Sequence, residues 1–356
     1  MTADAFNTTY DAPIRWAISA TGAIAHSFAC DIAHAQGAHL VAVGSRSPEA
    51  ARAFGASFGD IRAHGDLAAL AADPAIDAVY IASPNSAHLA QASALMRAGK
   101  HVLVEKPLAV SVSEARALVA VAADTGRFAM EGLWTLFLPA IDALRAALED
   151  GTLGRIVSVS AELAYAKPFD AASRFFAPSL GGGSALDMGI YPIALTLSLF
   201  GTPETVTGAW HAAPTGVDDE ARFRLGYGGF AAELACGFRR DGANRYVIRG
   251  ERATLVVDAP FLKAARLIRL EGGRGEGLLA PGPGRGASLL ARVARRLPLP
   301  GVTISDYGFA GAGLQFEIAA ASAAIRAGRT EHPRMPLARS IEALEIIEAI
   351  RALPPS

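Results

Sequence analysis

The first third of the chain repeats one pattern: a short apolar run followed by alanine-rich sequence of helical character. The runs are Ile14 to Ser19, His39 to Gly44, Ala78 to Ala82 and His101 to Glu105. A strand apolar on both faces must be covered on both, and strands alternating with helices at this spacing predict a parallel, doubly wound α/β sheet. Local punctuation agrees. Pro48 falls in the first turn of the helix after the second run, and Gly99 reads as the C-cap of a helix from about Ala87 to Ala98. Ser113 reads as the N-cap of a helix reaching Thr125.

Past about Met130 the pattern changes to strand after strand: Arg155 to Ala164, Thr205 to Ala212, Arg222 to Leu225, Phe230 to Phe238, Arg245 to Gly250 and Ala253 to Val257. Such a series predicts an antiparallel sheet. The expected architecture is a Rossmann-type domain over residues 1–130 and an α+β domain over 131–356 with a large, mainly antiparallel open sheet. Two closing helices, Gln315 to Ala327 and Ser340 to Ala352, are free to pack back on the first domain. Between them and the strands lie a Gly/Pro/Arg loop, Gly272 to Gly286, and a short amphipathic stretch, Ser288 to Leu297. A length of 356 residues suits two domains.

Composition removes several function classes. Lys+Arg number 33 against 34 Asp+Glu, a net charge of -1, so no basic excess exists to neutralise a nucleic-acid backbone. The longest uncharged run, Ala78 to Met96, carries Ser83, Pro84, Asn85, His88 and Gln91, and the stretch from Met188 to Pro203 is short and holds Pro192; no membrane span is expected. Cys30 and Cys236 form no C-x-x-C and have no His at ligand spacing, so neither a disulfide framework nor a metal site is expected. Met1 to Ala12 lacks the basic and apolar regions of a secretory signal, which points to a cytoplasmic protein. Lysine is scarce: only Lys100, Lys106, Lys167 and Lys263 stand among the basic residues.

The first strand-to-helix turn reads Ala20-Thr21-Gly22-Ala23-Ile24-Ala25. Against the dinucleotide fingerprint G-x-G-x-x-G/A, Gly22 allows close approach of a pyrophosphate and Ala25 allows close helix packing, while Ala20 replaces the first glycine. By itself the motif also fits an ordinary turn; the surrounding βαβ unit favours the dinucleotide. The second strand ends in Gly44-Ser45-Arg46-Ser47, with no acid for ribose hydroxyls. Arg46 can pair with a 2′-phosphate, helped by the serines, so NADP is expected over NAD. The plain alternative is a solvated arginine.

Two further segments carry chemistry. Glu105-Lys106-Pro107 ends the fourth run, on the carboxyl edge where open α/β sheets bind ligands. Leu180-Gly181-Gly182-Gly183-Ser184-Ala185-Leu186-Asp187-Met188-Gly189-Ile190-Tyr191-Pro192 opens an apolar helix on which Asp187 and Tyr191 share a face. Ser83, Pro84, Asn85 and His88 also follow a strand on the carboxyl edge.

These motifs together resemble the Gfo/Idh/MocA family, named for glucose-fructose oxidoreductase and inositol dehydrogenase. The likeness includes ATGAIA, VAVGSRSPE, IASPNSAHL, HVLVEKPL, LGGGSALDMGIYP and HPRMPLARSIEALEIIEAIR. Within it, FAMEGLWTLFLP and the triple glycine look most like dimeric dihydrodiol dehydrogenases and NADP-dependent D-xylose dehydrogenases. The resemblance implies that Lys106, Asp187 and Tyr191 surround a reacting carbinol of a sugar, cyclic polyol or dihydrodiol. It also implies that Ser83, Pro84, Asn85, His88 and Glu105 lie on the cofactor side, with Ala20, Gly22, Ala23, Ile24, Ser45 and Arg46 holding the rest of the dinucleotide. Trp134 matches an aromatic that can line the substrate pocket; a buried junction tryptophan is the alternative. Lys106 and Tyr191 both remain as proton acceptor, because oxidising an alcohol requires its proton to leave as the hydride departs. Arg174 reads as a salt-bridge partner more than a substrate contact. The resemblance further implies a homodimer or higher homo-oligomer through the second sheet. A non-catalytic dinucleotide-binding regulator and an NAD-dependent glycoside-cleaving enzyme share this fold and stay as alternatives, which the triad and Arg46 respectively disfavour.

Overall fold

A computed structural model describes residues 12–59, 61–272 and 300–356. The loop and amphipathic stretch expected between 272 and 297 therefore lie almost entirely outside the described residues, as does nearly all of the N-terminal segment.

The first sheet contains β1 (Ile14–Ser19), β2 (Ala38–Gly44), β3 (Arg62–His64), β4 (Ala78–Ile81), β5 (His101–Glu105) and β6 (Ala129–Gly132). They run in the order β3-β2-β1-β4-β5-β6 with every pairing parallel. The helices between are α1 (Ala23–Asp31), α2 (Pro48–Ser57), α3 (Leu67–Ala72), α4 (His88–Arg97) and α5 (Val112–Thr125). The strand order reverses between β1 and β4, so the ligand crevice opens at their carboxyl ends. Trp16, Phe28 and Tyr80 are fully buried behind it, Phe28 and Tyr80 stacked at 4.0 Å, each contributing about 2–3 kcal/mol of burial. The N-cap of α5 is Ser111, whose Oγ accepts from Glu114 N at 3.2 Å, and not Ser113 as expected. Of two serines two apart, only Ser111 has the extended backbone and three-residue spacing that capping needs.

Helix α6 (Pro139–Glu149) leads into β7 (Ile156–Ala164), and α7 (Ile190–Phe200) follows. Then come β8 (Thr205–Ala212), β9 (Asp218–Tyr227), β10 (Phe230–Gly237), β11 (Tyr246–Gly250), β12 (Ala253–Val257), β13 (Arg266–Glu271) and β14 (Val302–Asp306). The second sheet runs β14-β13-β12-β11-β7-β10-β9-β8. It is antiparallel except for β10 beside β7. That exception follows from α7, which carries the chain back so that β8 starts at the far edge in β7's direction; two reversals then bring β10 alongside β7. One face packs on the helices. On the other, Val247, Val256, Leu270, Ile268 and Val302 form a small cluster separate from the main core.

Two helices close the chain, α8 (Leu314–Arg326) and α9 (Leu337–Arg351). Helix α8 lies on α1 and β1, and α9 lies between α5 and β6 on one side and α7 and β8 on the other. The segment Pro178–Phe200, including α7, is long and apolar enough to cross a membrane by length and composition, contrary to the expectation that no stretch would be. It is mostly packed inside the protein, as the core helix of a two-sheet molecule is.

Candidate active site

The phosphate turn shows the consequence of its missing glycine. Ala20 takes φ of +102°, a conformation that disfavours any Cβ, while its N–H donates to Gly44 O at 2.8 Å. Gly22 is the N-cap of α1, which has neither a side-chain cap nor an acid in its first turn. A Cβ on Gly22 would meet nothing within 4 Å. The first-turn N–H groups of α1, those of Ala23 and Ile24 among them, have no side-chain cap, an arrangement that suits an anion.

At the end of β2, Ser45 Oγ accepts from Ser47 N at 3.3 Å. Ser47 is committed to helix α2: its Oγ accepts from Ala50 N and donates to Glu49 Oε2, both at 3.1 Å. That hydroxyl is engaged, contrary to the expectation that both serines would be free to donate. Arg46 is exposed.

After β4, the His88 ring faces two backbone carbonyls. It is fully buried, with Nδ1 2.9 Å from Pro107 O and Nε2 3.0 Å from Ser83 O. Burial pulls its pKa down. The ring packs between the loop after β4 and the loop after β5, and its one N–H in the neutral form donates to one of these two carbonyls. Ser83 Oγ, by contrast, is buried without a partner. Asn85 Nδ2 donates to Gly181 O at 3.2 Å, joining this loop to the triple-glycine segment.

Lys106 ends β5 with a cis bond to Pro107. Its Nζ donates to Asp187 O at 2.7 Å and Asp187 Oδ1 at 3.0 Å, and lies 5.0 Å from the Tyr191 ring centroid. Arg174 shares the same carboxylate oxygen at 3.2 Å. Burial works to raise the Asp187 pKa, but the charges of Lys106, Arg174 and Lys167 outweigh it and the carboxyl is held below its ordinary value. Tyr191 is 6% exposed; burial first, then Glu105, hold its phenol proton far above the ordinary range. The buried Trp134 stands beside that phenol.

Asp187 does not sit on an ordinary helical turn: Ala185–Gly189 is a π-turn that runs into α7, a feature common at functional sites. Fully buried Asp218 on β9 fixes it. Its Oδ2 accepts from Ser184 Oγ at 2.8 Å and from Ala185 N at 2.5 Å, and Arg351 lies 3.3 Å from its Oδ1. The preceding Gly183 has φ of +125°, and a Cβ there would overlap Asp218 Oδ1; only glycine lets the chain pass the carboxylate.

Three buried carboxyls stand behind the site, two of them missed by the sequence reading. Glu105 Oε1 accepts from Tyr80, and Oε2 accepts from Lys106 N at 3.1 Å; burial raises its pKa. Glu131 Oε1 accepts from Leu108 N at 2.9 Å, holding the Lys106 loop from below, and burial pushes its pKa up to about 7. Glu317 on α8 is fully buried with both oxygens unpartnered, its pKa raised far by burial and then by Glu105. The available signal was a single acid inside an apolar run, FAMEGLW for Glu131 and LQFEIAAASAAI for Glu317.

Residues 14–133 match the oxidoreductase family with an NAD-binding Rossmann fold, and residues 141–256 match the GFO/IDH/MocA C-terminal domain. The chain is similar to scyllo-inositol 2-dehydrogenase (NADP(+)) IolU of Bacillus subtilis, 36% identical over 76% of this chain and 84% of that protein. It is likewise similar to human trans-1,2-dihydrobenzene-1,2-diol dehydrogenase, 30% identical over 95% and 96%. Among solved structures, aldose-aldose oxidoreductase from Caulobacter crescentus shares the fold at a TM-score of 0.80 and 23% identity, covering 95% of this chain and 96% of that one. The parallel sheet with its phosphate turn, the second mainly antiparallel sheet and these matches agree, and the chain belongs to the Gfo/Idh/MocA family of NAD(P)-dependent oxidoreductases.

Proposed function

We propose that the protein transfers a hydride between NADP(H) and a carbinol of a sugar, cyclic polyol or dihydrodiol. The observation that carries this reading is the meeting of Lys106, Asp187 and Tyr191 at the carboxyl edge of the parallel sheet. The names of the inositol and dihydrodiol dehydrogenases among its relatives support the substrate class. The residues present fit a dinucleotide. An uncapped α1 with Gly22, Ala23 and Ile24 suits the pyrophosphate, Ser45 and Arg46 suit a 2′-phosphate, and the unpartnered Ser83 hydroxyl lies with Pro84, Asn85 and Glu105 on the nicotinamide side. When bound, the nicotinamide accepts the hydride from the alcohol or returns it to the carbonyl.

The chain's own groups handle the proton. Tyr191 keeps its proton at neutral pH and donates a hydrogen bond to the substrate oxygen. Lys106, as the free amine, takes the hydroxyl proton on oxidation and, as the ammonium, returns it on reduction. Asp187, kept ionised by its cationic neighbours, holds Lys106 and orients substrate hydroxyls. The domain division we assign falls near residue 130, and the open face of the second sheet is the surface we assign to self-association.

Fluorescence of bound NADPH and NADP+ reduction across a panel of polyols, aldoses and dihydrodiols test the reading. NADPH should bind more tightly than NADH, and Lys106→Met should lower kcat by about 100-fold or more with NADPH still bound. Tight binding without turnover, unaltered by Lys106→Met, would instead indicate a non-catalytic regulator. Arg46→Asp should weaken NADPH more than NADH; equal losses would refute the cofactor assignment.

A further inference from the structure

Two cations beside the site help keep Asp187 ionised but take no part in the proton transfer above. The Lys167 ammonium lies 4.0 Å and the Arg174 guanidinium 4.2 Å from the centroid of the Phe175 ring. The Lys167 ammonium also lies 5.7 Å from the Phe238 ring, and the residue's backbone N–H donates to Phe238 O at 2.8 Å. Aromatic faces hold these cations in place. Among the described residues Lys167 has no carboxylate partner, and Arg174 remains 58% exposed while giving one N–H to Asp187. Asp170 accepts from Ala172 N at 2.9 Å and Asp241 from Ala166 N at 3.0 Å, and neither is within ion-pair distance of Lys167 or Arg174. Asp187 alone therefore serves Lys106 and Arg174 and faces Lys167 as well. Partial burial, with repulsion from Arg174 and Lys106, disfavours the charged form of Lys167. What the rim lacks is a second anion.

We propose that Lys167 and Arg174 bind an anionic substituent, a carboxylate or phosphate, carried by the substrate, so that the substrate class is an anionic carbohydrate. The proposal rests on the site being that of a carbinol oxidoreductase. A planar guanidinium fork and a neighbouring ammonium suit the oxygens of either group. Both are pre-positioned on Phe175, so little freedom is lost when the anion arrives.

The test uses the protein–NADPH complex and probes that differ in one charged group: D-glucose, D-glucuronate and D-glucose 6-phosphate. Binding is read by the change in NADPH fluorescence, and turnover is read separately as NADP+ reduction. At least one charged sugar should bind about 10-fold or more tighter than glucose, and which one does so identifies the substituent. Lys167→Gln should bring the charged-to-neutral ratio close to one, whereas Lys167→Arg should preserve most of it. Equal binding of the three sugars, or a preference that survives Lys167→Gln, overturns the proposal. Turnover of neutral sugars without charge preference would leave the oxidoreductase reading standing and remove this one; failure to bind NADPH would remove both.

Discussion

Single residues show how far side-chain identity carries and where burial takes over. Lys106 and Asp187 were legible because the residues adjoining each constrain the backbone, and the structure brings them to 3.0 Å. His88 was not, because its letter is the same whether the ring faces a ligand or two carbonyls. Lys100, another of the four lysines, is likewise structural: its buried ammonium donates to Asp73 O at 2.6 Å and Ile76 O at 2.9 Å. Rarity of lysine therefore does not by itself mark catalysis. Glu131 supplies a prediction at this scale. Burial lifts its carboxyl to about 7 from an ordinary 4.5, with Glu105 adding to the rise and the hydrogen bond from Leu108 N and the charge of Lys106 opposing it. The folded state thus binds this proton more tightly than the unfolded chain does. Stability from this group is lost as pH rises from about 4.5 through about 7, some 3 kcal/mol in all. Glu131→Gln keeps an acceptor for Leu108 N and removes the titration. Urea unfolding at pH 5 and pH 8 should show a smaller stability difference in the variant, by about 2–3 kcal/mol. An unchanged difference would place that proton elsewhere.

At the scale of elements, the strands read most easily were those whose environment is uniform. β1 and β5 match their sequence ranges because parallel strands buried on both faces are continuous apolar runs. β3 escaped as a three-residue edge, Arg62–His64, and β6 because its four residues include buried Glu131. In β13, Arg266 and Arg269 obscure the alternation. The π-turn at Asp187 was invisible for a different reason: it depends on Asp218, more than thirty residues away, seizing Ala185 N and Ser184. Asp218→Ala should lower unfolding free energy by about 3 kcal/mol, because it leaves a buried N–H and Arg351 uncompensated. It should also reduce kcat more than it raises KM, through misplaced Asp187. Asp218→Asn, which retains an acceptor, should recover most of kcat and less of the stability. Full activity in Asp218→Ala would show that the π-turn holds without its clamp.

The whole molecule is closed by its own C-terminal helices. The Asp31 carboxylate, at the end of α1, accepts from the N–H groups of Ala312, Gly313 and Leu314, capping α8 from the first domain. Trp16 Nε1 in β1 donates to Ser322 Oγ at 2.9 Å on the same helix. α9 then spans from α5 to β8, and beyond it Trp210 Nε1 on β8 donates to Leu353 O at 2.8 Å. The chain's end thus completes both sheets, and neither keeps its buried surface if these helices leave. Unfolding should therefore be a single transition despite two domain-sized halves. The tryptophans report on this separately, Trp16 from the first sheet and Trp210 from the second. In variants retaining only one of the two, with Phe at the other positions, urea midpoints measured by fluorescence should agree with each variant's own circular-dichroism midpoint. Asp31→Ala, which removes the cap on α8, should lower the two midpoints together, at a cost of about 2 kcal/mol. A Trp210 signal that holds its midpoint while the Trp16 signal falls would mean that α8 belongs to the first domain alone, and that the halves unfold independently.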